Sequence, residues 1–342
     1  MRASVVVVDW KRPDLTCRCL RSLLEQGPEG EFEIVLVMNE ADAPSVASLR
    51  AEFPSVVVLP QATNTGFATA VDIGVAASRG SVVVLLNNDA VALPGFVESL
   101  VSVLESAPAE VAATVPTVLL EGTFAPADGD DGDEALVGLA GERWIRRDDD
   151  QGVRLVNGTG VEMTPDGNGH DRHWLTPVDE LPEELDAPFG FSGGAAAIRR
   201  TSLDAVGGFD PSLFMYYEDL DVSWRLRLAG FEMLSVPDAV VLHRHAGSSS
   251  SSGDLVRFQS MRNRLAVVLR NGSWPVVARV ALRTLVRAGK DALGAGGRQL
   301  STRQWARLLR QLPALTWNAV RLRRRDAVGR AARARVEALL RR

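Results

Sequence analysis

The sequence predicts an α/β protein: a mostly parallel central sheet with flanking helices, followed by a basic helical extension. Three observations carry the prediction. From Ser4 to Glu105 short apolar runs alternate with stretches at helical spacing, and repeated β-α units of this length imply parallel strands joined by right-handed crossovers. One of those runs, Val82 to Leu86, is apolar on both faces, which marks an interior strand, and it ends abruptly in Asn87-Asn88-Asp89. Charge is split along the chain: residues 254–342 hold 21 Lys+Arg against 4 Asp+Glu, net +17, and residues 1–253 are net −22. With 342 residues and 46% hydrophobic content the chain can bury a sizeable core, which excludes a disordered protein.

Ser4 to Val8 is the first strand. Pro13 to Gln26 is a helix, with Leu20, Leu23 and Leu24 on one stripe and Pro13 in the first turn, where its missing N–H does no harm. Phe32 to Met38 is the second strand, followed by a helix around Ser45 to Phe53 and a strand over Val56 to Leu59. Asn64-Thr65-Gly66-Phe67 opens the next helix, with Phe67, Val71 and Val75 at helical spacing. The strand ending in Asn87 is the fourth, and Pro94 to Glu105 is its helix, with Phe96, Leu100, Val103 and Leu104 inward.

From Glu121 to Ala187 the periodicity dissolves into Gly, Asp, Pro and scattered Trp, with acidic clusters at Asp128 to Glu134 and Asp148 to Asp150. A stretch that long without a period is either a solvated excursion or a functional insertion. Trp144, His173 and Trp174 favour a partly ordered insertion that shapes a binding site. Structure resumes at Phe189-Gly190-Phe191-Ser192-Gly193-Gly194 and a small-residue strand, Ala195 to Ile198; paired glycines let a backbone or ligand approach closely. After a Gly207-Gly208-Phe209-Asp210 turn, Glu218 leads into a helix through Leu220, Trp224 and Leu228 that Gly230 stops. Phe231 to Val236 and Ala239 to Leu242 read as two short strands, the second ending in His243-Arg244-His245.

The chain after Asp254 is helical by periodicity. Arg279, Arg283, Arg287 and Lys290 fall on one narrow face, opposite Val277, Ala281, Leu285 and Ala288. Such a basic amphipathic helix suits an anionic membrane surface, with Trp274, Trp305 and Trp317 as anchors. Two units are therefore expected, 1–253 and 254–342, the second removable after Asn271 without unfolding the first. Cys17 and Cys19 lie two apart in a helix and cannot bridge, which points to a reducing, cytoplasmic setting. No segment reaches the roughly 18–20 apolar residues of a membrane span, so the expected location is peripheral on the inner face of the cell membrane. The sequons at Asn157 and Asn271 are then expected to be bare, and the absence of a recognised nucleic-acid module leaves no nucleic acid among the expected partners.

Three polar sets remain: Asn87-Asn88-Asp89, Glu218-Asp219-Leu220-Asp221 and His243-Arg244-His245. Each stands where a strand or loop ends, which is where an open sheet of this kind holds its ligands. A carboxylate at a strand tip can hold a divalent cation that grips a diphosphate; the same triplet also suits a turn. Glu218 and Asp219 at a helix N-terminus suit capping or acid–base work alike.

Those sets occur in one order with V-V-V-D-W-K-R-P-D-L-T-C-R-C-L-R-S-L at the start, N-T-G-F-A from Asn64, L-L-N-N-D from Leu85, F-S-G-G-A-A-A-I-R-R from Phe191, G-G-F-D from Gly207, Y-E-D-L-D-V-S-W-R from Tyr217 and V-L-H-R-H from Val241. Together they resemble the family 2 glycosyltransferases, and within them the rhamnosyltransferase-like branch. The resemblance implies a GT-A fold, Rossmann-like, for residues 1–253. It also implies inverting, metal-dependent transfer of a sugar, such as L-rhamnose from dTDP-rhamnose, to a lipid-linked or polysaccharide acceptor of the cell envelope. The implied donor is a dTDP- or UDP-sugar held with Mg²⁺ or Mn²⁺. In that pattern Asp89 is the metal-binding Asp of a D-x-D-like triplet, His243 closes the metal site with His245 as the second candidate, and Asp219 is the catalytic base with Glu218 beside it. Asp9, Asn39, Asn64, Gly66, Phe67, Asn87, Asn88, Gly193 and Gly194 join Asp89 at donor-binding positions. The chain departs from the pattern after the second strand, where relatives read V-D-N-A-S and this chain reads Val37-Met38-Asn39-Glu40-Ala41. The Asp that contacts the nucleobase or ribose is thus missing, and Asn39, Glu40 or Asp42 is expected to replace it. A second departure puts Thr69-Ala70-Val71-Asp72 where relatives carry a glycine and Asn run. The alternative to an enzyme is a protein that binds a sugar nucleotide or glycan without turning it over. The serine run Ser248 to Ser252 is expected to fold over the donor.

Overall fold

The computed structural model describes residues 1–27, 31–127, 135–147, 149, 151–244, 253–295 and 297–340. The first half alternates as the sequence predicts: β1 (Ala3–Asp9), α1 (Pro13–Leu24), β2 (Phe32–Met38), α2 (Ala43–Glu52), β3 (Val57–Pro60), α3 (Phe67–Ala77), β4 (Val82–Asn87), β5 (Ala90–Ala92) and α4 (Phe96–Ser106). After β6 (Val111–Leu120) the insertion contributes β7 (Thr123–Pro126), β8 (Leu136–Val137), β9 (Arg143–Arg147), β10 (Val156–Gly158), β11 (Val161–Met163) and β12 (Gly169–Asp171). Then come β13 (Ala195–Arg199), α5 (Arg200–Val206), α6 (Glu218–Ala229) and β14 (Glu232–His243). Four helices close the chain: α7 (Gly253–Asn271), α8 (Trp274–Leu293), α9 (Thr302–Asp326) and α10 (Arg330–Glu337).

The central sheet has the order β3-β2-β1-β4-β13-β6-β14-β5, with β10 added beside β6. β1 runs parallel to β2 and β4, so the chain winds outward through β2 and β3 and returns to the other side of β1. That reversal makes a crevice between the carboxyl ends of β1 and β4. Val8 pairs with Asn87, which sets Asp9 beside the Asn-Asn-Asp triplet. Beyond β4 the sheet is mixed: β13 is antiparallel to both β4 and β6, β14 is parallel to β6, and β5 is antiparallel to β14.

Several elements differ from the sequence reading, each for a local reason. The strand β6 was not expected, because Pro116 argues against an interior strand. Pro116 stands where the pairing with β14 shifts register, between Val236 and Val240, so its missing N–H falls in a bulge. The same bulge, at Pro237-Asp238, makes the two expected short strands one strand. The helix α4 starts at Phe96 rather than Pro94, because Gly95 at φ 83° places a left-handed turn before it.

Alternation along the strands divides the core. Val82, Val84 and Leu86 face Leu20 and Leu23 of α1 and Phe96 and Leu100 of α4. Val83 and Leu85 face Val71 and Val75 of α3 and Val222 and Leu226 of α6. A third cluster joins Leu220, Trp224 and Leu228 of α6 to Val267 and Val268 of α7, Val276 and Val280 of α8 and Val336 of α10. The helix α6 is thus buried on nearly every side, and the C-terminal helices form one of its walls.

Polar contacts tie the same helices together. Asp221, 1% exposed, accepts from Arg225 at 2.8 Å, Arg270 at 3.0 Å and Asn271 at 2.8 Å, and Arg270 also donates to Asp326 at 2.8 Å. The boundary expected after residue 253 therefore falls in front of a helix whose bonds run into the first unit. On α8 the buried residues are Val276, Val280, Thr284 and Asp291, whereas Leu285 is 70% exposed. The expected apolar side at Leu285 thus faces outward. Of the expected basic stripe, Arg283 pairs with Asp166 of the insertion and Arg287 with Asp291.

Candidate active site

The site forms where the tips of β1, β4 and β14 meet the start of α6. Asp9 ends β1 and is nearly buried; its Oδ1 accepts from Thr16 Oγ1 at 2.6 Å and Asn88 Nδ2 at 3.2 Å. Asn88 also donates to Thr16 Oγ1 at 3.0 Å, so its amide is committed to bracing the turn. The next residue, Asp89, points the other way. Its Oδ1 lies 3.2 Å from Nε2 of His243, at the end of β14, with both side chains largely buried. Arg244 N donates to the carbonyl of Asp89 at 3.0 Å, closing the two strand tips on each other.

Asp219 enters from the first turn of α6. Its Oδ2 accepts from Gly193 N at 2.9 Å and its Oδ1 from Leu220 N at 2.7 Å. Gly194 in turn accepts from Asn87 N at 2.8 Å through its carbonyl, so Gly193-Gly194 links the β4 tip to the base candidate. A Cβ on Gly193 would lie 3.0 Å from the Phe67 ring, so the two are closely packed. Burial pushes the Asp219 carboxyl up from its ordinary value. Glu218 is pushed well up by burial and by the charge of Asp219, and its Oε2 has no partner among the described residues. The two carboxyls repel each other in a place closed to water, so each resists ionising while the other is charged.

The segment that delivers this pair is strained. Phe214, Tyr216 and Tyr217 have φ of 64°, 65° and 71°, a left-handed conformation that bulky residues rarely adopt. Asn263 of α7, wholly buried, holds them by donating to the carbonyls of Leu213, Met215 and Tyr216 at 2.7, 2.8 and 2.7 Å. Tyr217 bonds through its hydroxyl to Gly167 O and Gly169 N at 3.2 Å, which pins the β11–β12 hairpin against the start of α6.

The insertion delivers two residues that the sequence did not single out for chemistry. Asn157 of β10 lies with Oδ1 2.7 Å from His243 Nδ1, and its Nδ2 donates to Asp171 Oδ2 of β12 at 3.3 Å. Burial raises the Asp171 carboxyl to about 7, with the charge of Asp219 adding and His243 opposing. Asp171 thus feels both the base candidate and the metal-site candidate. The only sequence signal was the sequon at Asn157, which was read for glycosylation; Asp171 gave none.

The other expected donor-binding residues divide. Asn39 is buried, accepts from Thr65 N at 2.8 Å and donates to Asn64 Oδ1 at 3.0 Å, so it clamps the loop before α3. Asn64 accepts from Gly66 N at 2.9 Å. Gly66, at φ 83°, has no room for a Cβ against Phe214. Glu40 bonds Lys11 at 2.7 Å and Trp10 Nε1 at 3.2 Å, and Asp42 caps α2 through Ser45 N. Each expected replacement for the missing Asp therefore has a protein partner. His245, the run 248–252 and the acidic residues 128–134, 148 and 150 lie outside the described residues.

Asp89 and His243 offer a carboxylate oxygen and an imidazole nitrogen converging on one point, a donor set that fits Mn²⁺ or Mg²⁺. Among the described residues no set of three or more His, Cys, Asp and Glu side chains gathers into a cation cage. The pair suits an ion that takes its other ligands from substrate phosphates and water.

Solved structures share this architecture at low sequence identity. The chain aligns over 78% of its length with 47% of GalNAc-T7, crystallised with UDP, GalNAc and Mn²⁺, at TM-score 0.56 and 19% identity. It aligns over 98% of its length with 87% of the mannosyltransferase PcManGT from Pyrobaculum calidifontis, solved with GDP-Man and Mn²⁺, at TM-score 0.50 and 16% identity. The fold is thus of the GT-A type. A family profile described as "Glycosyltransferase like family 2" matches residues 2–266, and the chain belongs to that family. It is 42% identical over 78 residues to the N-acetylglucosaminyl-diphospho-decaprenol L-rhamnosyltransferase of Mycobacterium tuberculosis, a match covering 22% of this chain and 25% of the relative. It is 25% identical over 252 residues to the O-antigen biosynthesis protein RfbC of Myxococcus xanthus, covering 72% of this chain and 18% of that one. The chain thus matches a quarter or less of the length of both relatives.

Proposed function

We propose that this chain transfers a sugar, with inversion at the anomeric carbon, from a nucleoside-diphosphate donor to a hydroxyl of a lipid-linked or polysaccharide acceptor. The observation that carries this is the link through Gly193-Gly194, which binds the Asp219 carboxylate and the β4 tip into one constellation. Asp219 takes the proton of the acceptor hydroxyl; the freed oxygen bonds to the anomeric carbon as its bond to the diphosphate breaks. The raised pKa of Asp219 makes it a stronger base than a solvated carboxylate, and the two N–H groups on its oxygens fix its aim. Glu218, held neutral, keeps a second negative charge from crowding it. A divalent cation held by Asp89 and His243 supplies charge stabilisation for the departing diphosphate. Asp171 and Asn157 orient His243 and form the acceptor side. L-Rhamnose from dTDP-rhamnose is the proposed donor, supported by the rhamnosyltransferase similarity. Trp10, 43% exposed beside the β1 tip, takes the place of the missing Asp as the surface for the nucleobase.

We further propose that the enzyme works at the cytoplasmic face of an anionic membrane. The net +17 of residues 254–342 and the outward Leu282, Leu285 and Leu293 of α8 support this, while no described helix is long and apolar enough to cross a bilayer. The lost Asp beside β2 favours a second reading, a binding protein without turnover. Asp219→Asn separates the two: donor binding persists by calorimetry while transfer falls by about 10²–10⁴. Unchanged turnover removes Asp219 from the role, and no turnover in the parent against a full donor panel leaves the binding protein.

A further inference from the structure

On the other side of α6 lies a cavity of about 400 Å³, between α7, α9 and the turn at Asp210. Its size falls within the roughly 300–1,000 Å³ of small-molecule sites. Asp219 faces the strand tips; Asp221, two residues on and about 200° round the helix, forms part of the cavity floor. There it is neutralised by Arg225 and Arg270. The walls are mainly apolar, with Leu213, Val267, Leu315 and Ala319 among them. Two guanidinium groups stand apart from this closed network. Arg262 donates to Gln311 Oε1 and Ser212 O at 3.0 Å and to Asn263 Oδ1 at 2.5 Å, while its Nη2 has no partner among the described residues. Burial lowers its pKa; the charge of Asp210 opposes that shift and the charge of Arg307 adds to it. Arg310, exposed at the rim, has no bonded partner among the described residues.

We propose that this cavity binds an amphiphilic phosphate, its oxyanion held by Arg262 and Arg310 and its hydrocarbon against Leu213, Val267, Leu315 and Ala319. Guanidinium forks match phosphate geometry, and a chain enclosed by those walls leaves water. The volume admits one small molecule, which distinguishes the site from a surface lying on many headgroups. The inference does not depend on the catalytic reading, because its key residues lie on α7 and α9.

The test is calorimetric titration of the full chain, in EDTA, with decyl phosphate below its micelle-forming concentration. Inorganic phosphate, decanol and phosphatidylglycerol vesicles are the comparison arms. Saturable one-to-one binding of decyl phosphate is expected, with inorganic phosphate and decanol each much weaker. Arg310→Gln should weaken it about tenfold, the loss of one charge-assisted contact. Ala314→Trp, at the exposed rim, should block entry. Equal binding by parent and Arg310→Gln, displacement by a nucleoside diphosphate, or binding to vesicles alone would each overturn the assignment. Should Ala314→Trp melt early, Arg310→Gln decides alone.

Discussion

Asp89 and His243 meet across two strand tips, and under the proposed function each would act through a divalent cation bound between them. Asp89→Ala and His243→Ala should weaken nucleoside-diphosphate binding in Mn²⁺ and match the parent in EDTA; a defect that persists in EDTA means direct contact with the donor. Asp72, at the second departure from the family pattern, offers a pH test. Its Oδ1 accepts from Phe209 N at 3.1 Å, and burial lifts its carboxyl to about 6, with Asp210 adding and Phe209 and Arg225 opposing. The folded chain keeps a proton there that the unfolded chain releases near pH 4. Stability therefore falls as pH rises from about 4 to about 6 and is level above. Asp72→Asn removes this slope, gaining at most about 2 kcal/mol over the parent at pH 7 once solvent screening is allowed for. Parallel melting curves against pH would contradict it. Motif order singled out Asp219, Asp89 and His243 in the sequence, and the fold brings Asp89 and His243 within 3.2 Å of each other. The loop clamp made by Asn39 was not legible because sequence does not say which face of a loop an amide serves, and Asp171 was not because nothing periodic frames it.

At the scale of elements, α6 depends on buried charge. Asp221→Asn would leave Arg225 and Arg270 without a full counter-charge in a place nearly closed to water. The expected cost is about 3–5 kcal/mol, read as a lowered denaturation midpoint, while Asp219→Asn two residues away should unfold like the parent. Equal midpoints for the two variants would show that the network is not the anchor. The strands β1, β2 and β4 were legible because an interior parallel strand is apolar on both faces. The small strands β7 to β12 were not, since segments of two to five residues are too short to display a period. At the bulge between β6 and β14, Pro116 disguised β6 and Pro237 split β14 into two expected strands.

For the whole molecule, the charge split visible in the sequence resolves partly inside the fold. Arg270 meets Asp210, Asp221 and Asp326, and Arg283 meets Asp166. Truncation after Asn271, expected from sequence to be harmless, would strip Val276, Val280 and Val336 from the Trp224 cluster and Arg333 from the carbonyls of Arg270 and Asn271. The truncated chain should aggregate or melt far below the parent. Point changes are the better membrane test: Leu282→Asp with Leu285→Asp, at side chains 63% and 70% exposed, should leave melting unchanged and abolish sedimentation with anionic liposomes. Sedimentation equal to the parent would sink the membrane proposal. Periodicity found α8 but not its orientation, because both faces of the helix carry apolar residues and only packing chooses between them.

The clamp of Asn263 on the left-handed turn before α6 has a consequence for biosynthesis. Every side chain assigned to chemistry precedes residue 245, yet the residue that holds the turn in place is translated afterwards. A nascent chain released from the ribosomal tunnel only as far as Val256 carries Asp89, Asp171, Asp219 and His243 and has nothing to lock Phe214, Tyr216 and Tyr217 in their costly conformation. The turn before α6 is therefore locked only when α7 has emerged and docked, rather than when the sheet closes.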